Sequence, residues 1–181
     1  GKVNAALTLA LWAAQHPVER ALLFGIAGAY PGLEVPLGGA VLVAEEVEAD
    51  LGLREGLEPL GFPALTLGGV AYYNRFPLDP GLTGALSRAL DLPQVVGLTR
   101  DLVSESLEEA QALAQRFGAQ LENMEGAAFA RACLLLGIPG AELRAISNPA
   151  GVRDKAAWRM GEALRTLRAL VQALLEETTG P

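Results

Sequence analysis

The sequence predicts an α/β fold in which a sheet is covered by helices on both faces. Short apolar runs alternate along the chain with segments whose apolar residues have helical spacing, a pattern typical of α/β proteins. The composition agrees, because 51% of the 181 residues are hydrophobic and only 19% are charged, as expected where strands are buried on both faces. No repeat or linker is visible, so we predict a single domain over residues 1–181.

The N-terminal half contains one predicted helix and two predicted strands. Residues 3–15 carry apolar side chains at helical spacing, and residues 40–48 form an apolar run typical of a strand. Residues 21–26 form a second such run, and we predict that the glycine-rich residues 25–32 form a loop. Residues 51–93 are rich in Gly and Pro, so we expect long loops close to a functional site.

The C-terminal half alternates strands with helices. Ser106 and Glu109 have the spacing of a capping box at the start of a helix, and Gly118 is placed to end it. We predict strands at residues 94–99, 119–123 and 141–147.

Two further helices follow from apolar patterning. Residues 124–136 are apolar nearly all round, which indicates a buried helix. Asp154 is placed to cap a last helix. Five apolar residues of that helix are expected to face inward: Met160, Leu164, Leu167, Val171 and Leu174. Ligands of α/β sheets bind where strands end, and three predicted strand ends are polar or glycine-rich: 25–28, 122–125 and 147–148.

The composition also excludes several classes of function. A net charge of −7 argues against a nucleic-acid partner, and no apolar run reaches the roughly 18 residues of a membrane span. Cys133 is the only cysteine and His16 the only histidine, so an intrachain disulfide and a cysteine zinc cluster are excluded, and a His-rich metal site or a Ser-His-Asp triad is not expected. We expect no metal or organic cofactor, and chemistry carried by carboxylates, amides and backbone groups.

Glu125 and Asn148 are the residues best suited to chemistry, and each has two interpretations. Glu125 opens the most apolar helix, where the helix dipole and Asn123 as cap would explain an acid; alternatively, its carboxylate binds ligand hydroxyls. Asn148, before Pro149, is typical of a turn; alternatively, its amide holds a ring nitrogen and a carbonyl oxygen at once. The residues alone leave both alternatives open.

Three neighbouring features complete the candidate site. Residues 25–28 could bring backbone N–H groups close to a ligand, or simply form a tight turn. Arg144 would be costly if buried without a partner, so we expect it to pair with a carboxylate such as Glu125. Ser147 is not expected to act as a nucleophile, because His16 is distant in sequence and predicted to be exposed.

Four stretches together resemble the purine nucleoside phosphorylase and nucleosidase superfamily: GKVNAALTLALWA, LLFGIAGAY, ENMEGAAFARAC and LRAISNPAG. They occur in order over nearly the whole chain. Within the superfamily, the stretch SNPAGVRDKAAW at 147–158 is most similar to the futalosine hydrolases, nucleosidases of menaquinone biosynthesis. The resemblance implies a three-layer αβα sandwich with a central mixed sheet, and hydrolysis of futalosine to hypoxanthine and dehypoxanthine futalosine.

The resemblance also implies a role for individual residues. Met124 would pack on the ribose face and Glu125 would bind the ribose hydroxyls. Asn148 stands where adenosine-type nucleosidases have an Asp, a change that fits a 6-oxopurine such as hypoxanthine. The other residues implied in substrate binding are Ala27, Gly28, Asn123 and Ser147.

Relatives in this superfamily carry a pair of strands before the first glycine turn, with a Glu that helps to activate water. We expect that segment to be missing here, so no water-activating base is assigned. The alternatives are a purine nucleoside phosphorylase, a methylthioadenosine/S-adenosylhomocysteine nucleosidase, or a non-catalytic nucleoside-binding protein. The resemblance further implies a cytoplasmic homo-oligomer with a small purine nucleoside as its substrate.

Overall fold

The computed structural model describes residues 1–178, which contain eight strands and five α-helices. The strands are β1 (Ala21–Ala29), β2 (Ala40–Glu48), β3 (Leu65–Leu67), β4 (Val70–Tyr72), β5 (Arg75–Pro77), β6 (Gln94–Thr99), β7 (Leu121–Asn123) and β8 (Gly140–Pro149). The helices are α1 (Lys2–Ala13), α2 (Pro80–Leu90), α3 (Leu107–Phe117), α4 (Gly126–Leu136) and α5 (Met160–Thr178). Short 3₁₀ turns lie at Glu58–Leu60 and Lys155–Ala157.

Six strands form one mixed sheet in the order β5-β2-β6-β7-β1-β8. β1 is parallel to β8, and β6 is parallel to both β2 and β7, whereas β1 and β7 are antiparallel. β2 also pairs with β8, so the sheet curls back on itself. α4 packs against β2 and α5 packs against β8. The predicted α/β class and central mixed sheet are confirmed.

Local signals place α3 and α4 as the sequence predicts. The Ser106 hydroxyl accepts a hydrogen bond from the N–H of Glu109 at 3.2 Å, and Gly118 ends α3 with a left-handed φ of 66°. The reciprocal bond differs from a standard capping box, because the Glu109 carboxylate accepts from the N–H of Glu105 at 2.8 Å. α4 is buried as predicted, with Phe129 among its core residues.

Two predictions near the site are wrong. Residues 25–32 are not all loop, because β1 continues through Ala29 while it pairs with both β7 and β8. Asp154 does not cap α5; its carboxylate accepts from the N–H of Ala156 at 2.9 Å and caps the short turn at Lys155–Ala157. The extended β1 brings the Ala27–Gly28 backbone into the sheet beside the other strand ends.

Two further predictions need correction. Leu164 does not face inward but is exposed, whereas Ala163 beside it is fully buried. Residues 51–93 do include long loops, but they also contain α2, the hairpin of β3 and β4, and the edge strand β5, and none of them lines the cavity described below.

Candidate active site

One cavity of about 500 Å³ opens where β1, β7 and β8 end. All seven residues that the sequence analysis placed in a site line it: Ala27, Gly28, Asn123, Met124, Glu125, Ser147 and Asn148. These residues are far apart in sequence, and the sheet brings them together because β1 lies between β7 and β8. A cavity of this size can enclose a small organic ligand.

Glu125 lies at the start of α4 beside the guanidinium of Arg144. Its Oε2 accepts a hydrogen bond from Arg144 Nη1 at 3.2 Å, and its Oε1 lies 2.9 Å from the backbone nitrogen of Gly1. Asn123 Oδ1 accepts from the backbone N–H of Glu125 at 2.9 Å and from that of Gly126 at 2.7 Å. The predicted cap and the predicted ion pair with Arg144 are both present.

The electrostatic surroundings favour an ionised Glu125. Partial burial alone would raise the pKa of its carboxyl, but the charge of Arg144 and the hydrogen bond that Arg144 donates are among the causes that lower it. The carboxylate is therefore charged at neutral pH. It can accept hydrogen bonds from neighbouring hydroxyls of a sugar and stabilise positive charge that develops nearby.

Two more carboxyl groups lie buried behind Glu125. Arg144 Nε donates to Glu142 Oε1 at 2.7 Å, and Arg144 Nη2 donates to Asn123 Oδ1 at 3.2 Å. Asn123 Nδ2 in turn donates to Glu46 Oε1 at 2.7 Å. Burial raises the pKa of the Glu46 carboxyl, and the negative charge of Glu142 raises it further. This network holds the Arg144 guanidinium in place against Glu125.

Asn148 follows an irregularity in β8. The pairing of β1 with β8 shifts between Ala27 and Gly28, which leaves Ser147 as an extra residue in β8, and such bulges redirect side chains. Ser147 Oγ lies 2.7 Å from Asn148 Oδ1, to which it can donate, and Asn148 Nδ2 donates to the carbonyl of Pro149 at 3.0 Å. An amide nitrogen carries two hydrogens, so Nδ2 can donate a second bond to a ligand.

The sequence analysis missed a second wall of the cavity. Trp158 Nε1 donates to the carbonyl of Val152 at 2.9 Å, which anchors the turn that forms part of this wall. The pattern at 147–158 was recognised, but helical or strand spacing gives no signal for side chains in a turn. The additional lining residues are Ile26, Val103, Ser104, Glu122, Gly151, Val152, Arg153, Lys155 and Trp158.

Residues 1–178 contain neither a candidate metal cluster nor a candidate membrane span. No group of three or more His, Cys, Asp or Glu side chains in this part of the chain is arranged to hold a metal ion. None of its helices has the length and apolar character required to cross a bilayer.

The chain belongs to the phosphorylase superfamily, whose family model matches residues 1–177. The futalosine hydrolase of Thermus thermophilus is 72% identical to it over 99% of this chain and 80% of that protein. The futalosine hydrolase of Streptomyces coelicolor is 37% identical over 88% of this chain, and the match spans 66% of that protein's length.

Solved structures agree with this assignment at the level of the fold. A Helicobacter pylori 5′-methylthioadenosine/S-adenosylhomocysteine nucleosidase with a bound Immucillin superposes with a TM-score of 0.78 at 22% identity, covering 98% of this chain and 76% of that one. The native futalosine hydrolase of Helicobacter pylori strain 26695 gives a TM-score of 0.76, also at 22% identity, covering 98% of this chain and 76% of that one.

Proposed function

We propose that this chain is a nucleosidase that hydrolyses the N-glycosidic bond of futalosine and releases hypoxanthine and dehypoxanthine futalosine. The observation that carries the proposal is that one cavity gathers Met124, Glu125 and Asn148, which supply contacts for a sugar and for a base. The 72% identity to the futalosine hydrolase of Thermus thermophilus supports the choice of substrate.

Glu125 serves the sugar end of the reaction. Cleavage of an N-ribosyl bond builds positive charge on the sugar and negative charge on the departing base, so both ends need electrostatic support. The Glu125 carboxylate accepts hydrogen bonds from the ribose hydroxyls and favours the cationic sugar. Arg144 fixes this carboxylate from behind at 3.2 Å, so little reorganisation is needed during the reaction. Met124 packs its thioether against the ribose face.

Asn148 serves the base end. Its Nδ2 donates to the purine while the ring accumulates negative charge, which makes the base a better leaving group. Hypoxanthine offers a carbonyl acceptor at the six position, whereas adenine offers an amino donor there. A site built to bond one of these groups rejects the other, since mismatched buried polar groups stay unpaired. The amide is neutral, so it donates at any pH in the physiological range.

The wider setting of the enzyme is part of this proposal. Futalosine hydrolysis belongs to menaquinone biosynthesis, and the enzyme acts in the cytoplasm as a homo-oligomer. The oligomer is supported by large apolar side chains exposed on α1 and β1, namely Val3, Leu7, Leu11, Trp12, Leu22 and Phe24, because contiguous exposed apolar surface marks interaction sites.

The test is to incubate the purified protein with futalosine, with and without inorganic phosphate, and to separate the products by chromatography. We expect hypoxanthine to appear at the same rate in both conditions, and to fall by roughly 10²- to 10³-fold in Glu125→Gln, because transition-state support at the sugar is lost. Release only with phosphate would indicate a phosphorylase. Failure to release hypoxanthine in either condition would contradict the proposal.

A further inference from the structure

Glu122 is a buried carboxylate that lines the cavity and has no part in the mechanism above. It is 5% exposed, and among the residues the structure describes it forms no ion pair. A buried charge without a cation is costly unless hydrogen-bond donors compensate it. Packing alone does not favour a carboxylate at this position in the cavity wall, which points to a role in binding.

The hydrogen bonds of Glu122 are distributed unequally between its two oxygens. Oε2 accepts from Tyr30 Oη at 3.1 Å, from Ser104 Oγ at 2.5 Å and from the Ser104 N–H at 3.2 Å. Oε1 shares only that same Ser104 N–H, at 3.2 Å. Because a carboxylate oxygen can accept about two bonds, Oε1 keeps an acceptor position while Oε2 is held firmly by the protein.

The sheet places Glu122 Oε1 and Asn148 Nδ2 close to the same residue, Gly28. Gly28 pairs with Glu122 on one side and with Asn148 on the other, so all three residues share one register across adjacent strands. A Cβ placed on Gly28 would lie 3.5 Å from Glu122 Oε1 and 3.3 Å from Asn148 Nδ2. With neighbouring strands about 4.8 Å apart, the acceptor and the donor flank the space above a residue that has no side chain.

A 6-oxopurine presents a matching edge. Its six-position oxygen accepts a hydrogen bond, and the adjacent N1–H donates one. Asn148 Nδ2 is the donor and Glu122 Oε1 the acceptor that this pair requires. An adenine ring instead presents an amino donor beside a bare N1, and that nitrogen would face the carboxylate without a proton between them.

We infer that Glu122 is a specificity-determining residue that accepts the N1–H of a 6-oxopurine, while Asn148 binds the adjacent oxygen. This inference rests on the proposed function, because it assumes that a purine base occupies this cavity. Tyr30 and Ser104 are positioning residues, since they orient the carboxylate without touching the base. Gly28 leaves the room in which the ring edge meets both side chains.

The test compares hypoxanthine, adenine and 1-methylhypoxanthine as ligands of the wild-type protein and of Glu122→Gln, by isothermal titration calorimetry. We expect the substitution to weaken hypoxanthine binding by about 10- to 100-fold, the size of a lost hydrogen bond to a charged group. Adenine binding is expected to stay the same or improve, because the new amide can donate to N1. The wild type is expected to reject 1-methylhypoxanthine, which has no N1–H. Glu34→Gln, which removes an exposed carboxylate, serves as the matched control.

Three outcomes would overturn the inference: equal weakening of hypoxanthine and adenine, unchanged hypoxanthine binding, or wild-type binding of 1-methylhypoxanthine as tight as that of hypoxanthine. Should Glu122→Gln unfold, Tyr30→Phe replaces it, and loss of one orienting bond must again weaken hypoxanthine more than adenine. Futalosine turnover by the same samples separates this inference from the proposed function. Turnover that does not depend on Glu122 contradicts only the inference, whereas Glu122-dependent base binding without turnover contradicts only the hydrolase proposal.

Discussion

Two carboxyl groups, Glu46 and Glu142, share one cation in the interior. Both are fully buried, and Arg144 donates to Glu142 at 2.7 Å. Burial raises the pKa of both groups, and for Glu46 the charge of Glu142 raises it further. Burial and the repulsion between like charges both oppose ionising the two carboxyls together. The folded protein therefore binds a proton at a pH where an unfolded chain has released it.

This proton makes stability depend on pH in a defined direction. Because the raised pKa belongs to the folded state, stability falls as pH rises from the ordinary glutamate pKa of about 4.3 toward the raised value. We expect Glu46→Gln to flatten this dependence, since its amide keeps a hydrogen on that position without titrating. The melting temperature, measured from pH 5 to pH 9, checks this, with Glu34→Gln as an exposed control. A wild-type melting temperature that rises across the interval would contradict the prediction.

Site residues with a local chemical reason could be predicted from the sequence, whereas Glu122, whose place in the site depends on strand pairing, could not. Asn123 as a helix cap and Arg144 as the partner of Glu125 follow from the costs of unpaired helix N–H groups and buried charge. Glu122 gave no such signal, because it is an ordinary residue of a short strand. Its importance depends on its register with Gly28, which only the pairing of β1 and β7 creates.

At the scale of the element, α4 begins with a glycine because the buried carboxyls leave no room for a side chain. A Cβ on Gly126 would lie 2.7 Å from Glu142 Oε1 and closer still to Glu46. These groups are buried and hydrogen-bonded, so they cannot move aside freely. Gly84 in α2 offers a contrast, because its Cβ would meet only Arg88 Nη1 at 3.5 Å.

The two glycines are therefore expected to respond in opposite ways to the same change. Gly126→Ala overpacks a buried site and should lower the free energy of unfolding by about 1–3 kcal/mol. Gly84→Ala gains helix propensity without a clash and should raise it by up to about 1 kcal/mol. Urea denaturation monitored by circular dichroism measures both. Equal shifts of the same sign would show that the carboxyl groups do not constrain the start of α4.

Elements with clear periodicity and with their own start and stop signals were predicted well from the sequence. Elements whose limits depend on pairing with distant strands were not. α3 has its own capping residue, an apolar face at helical spacing and a terminal glycine, so its limits follow from local signals. β1 extends beyond its apolar run because β7 and β8 both pair with its glycine-rich end. α2 was hidden in a region rich in Gly and Pro, although Pro80 is at a helix start, where proline is favoured.

At the scale of the whole molecule, α1 is a helix whose apolar side chains are poorly buried by the rest of the fold. It packs against α4 but contains no fully buried residue, and a 12-residue helix is only marginally stable alone in water. Val3 is 75% and Trp12 60% exposed. A groove of about 540 Å³ between α1 and β1 is lined by Trp12 and Leu22. A second copy that presents the same surface would cover both apolar walls, as in an isologous dimer.

This surface predicts the state of the protein in solution. We expect multi-angle light scattering to give at least twice the chain mass of 18.9 kDa, because burial of apolar area drives association. The double substitution Leu7→Lys and Leu11→Lys places two charges in the interface, and desolvating them should leave a monomer. Val70→Lys, at an equally exposed apolar position in β4, should keep the wild-type mass. A wild-type protein that scatters as a single chain at micromolar concentration would show that α1 is not covered by a second copy.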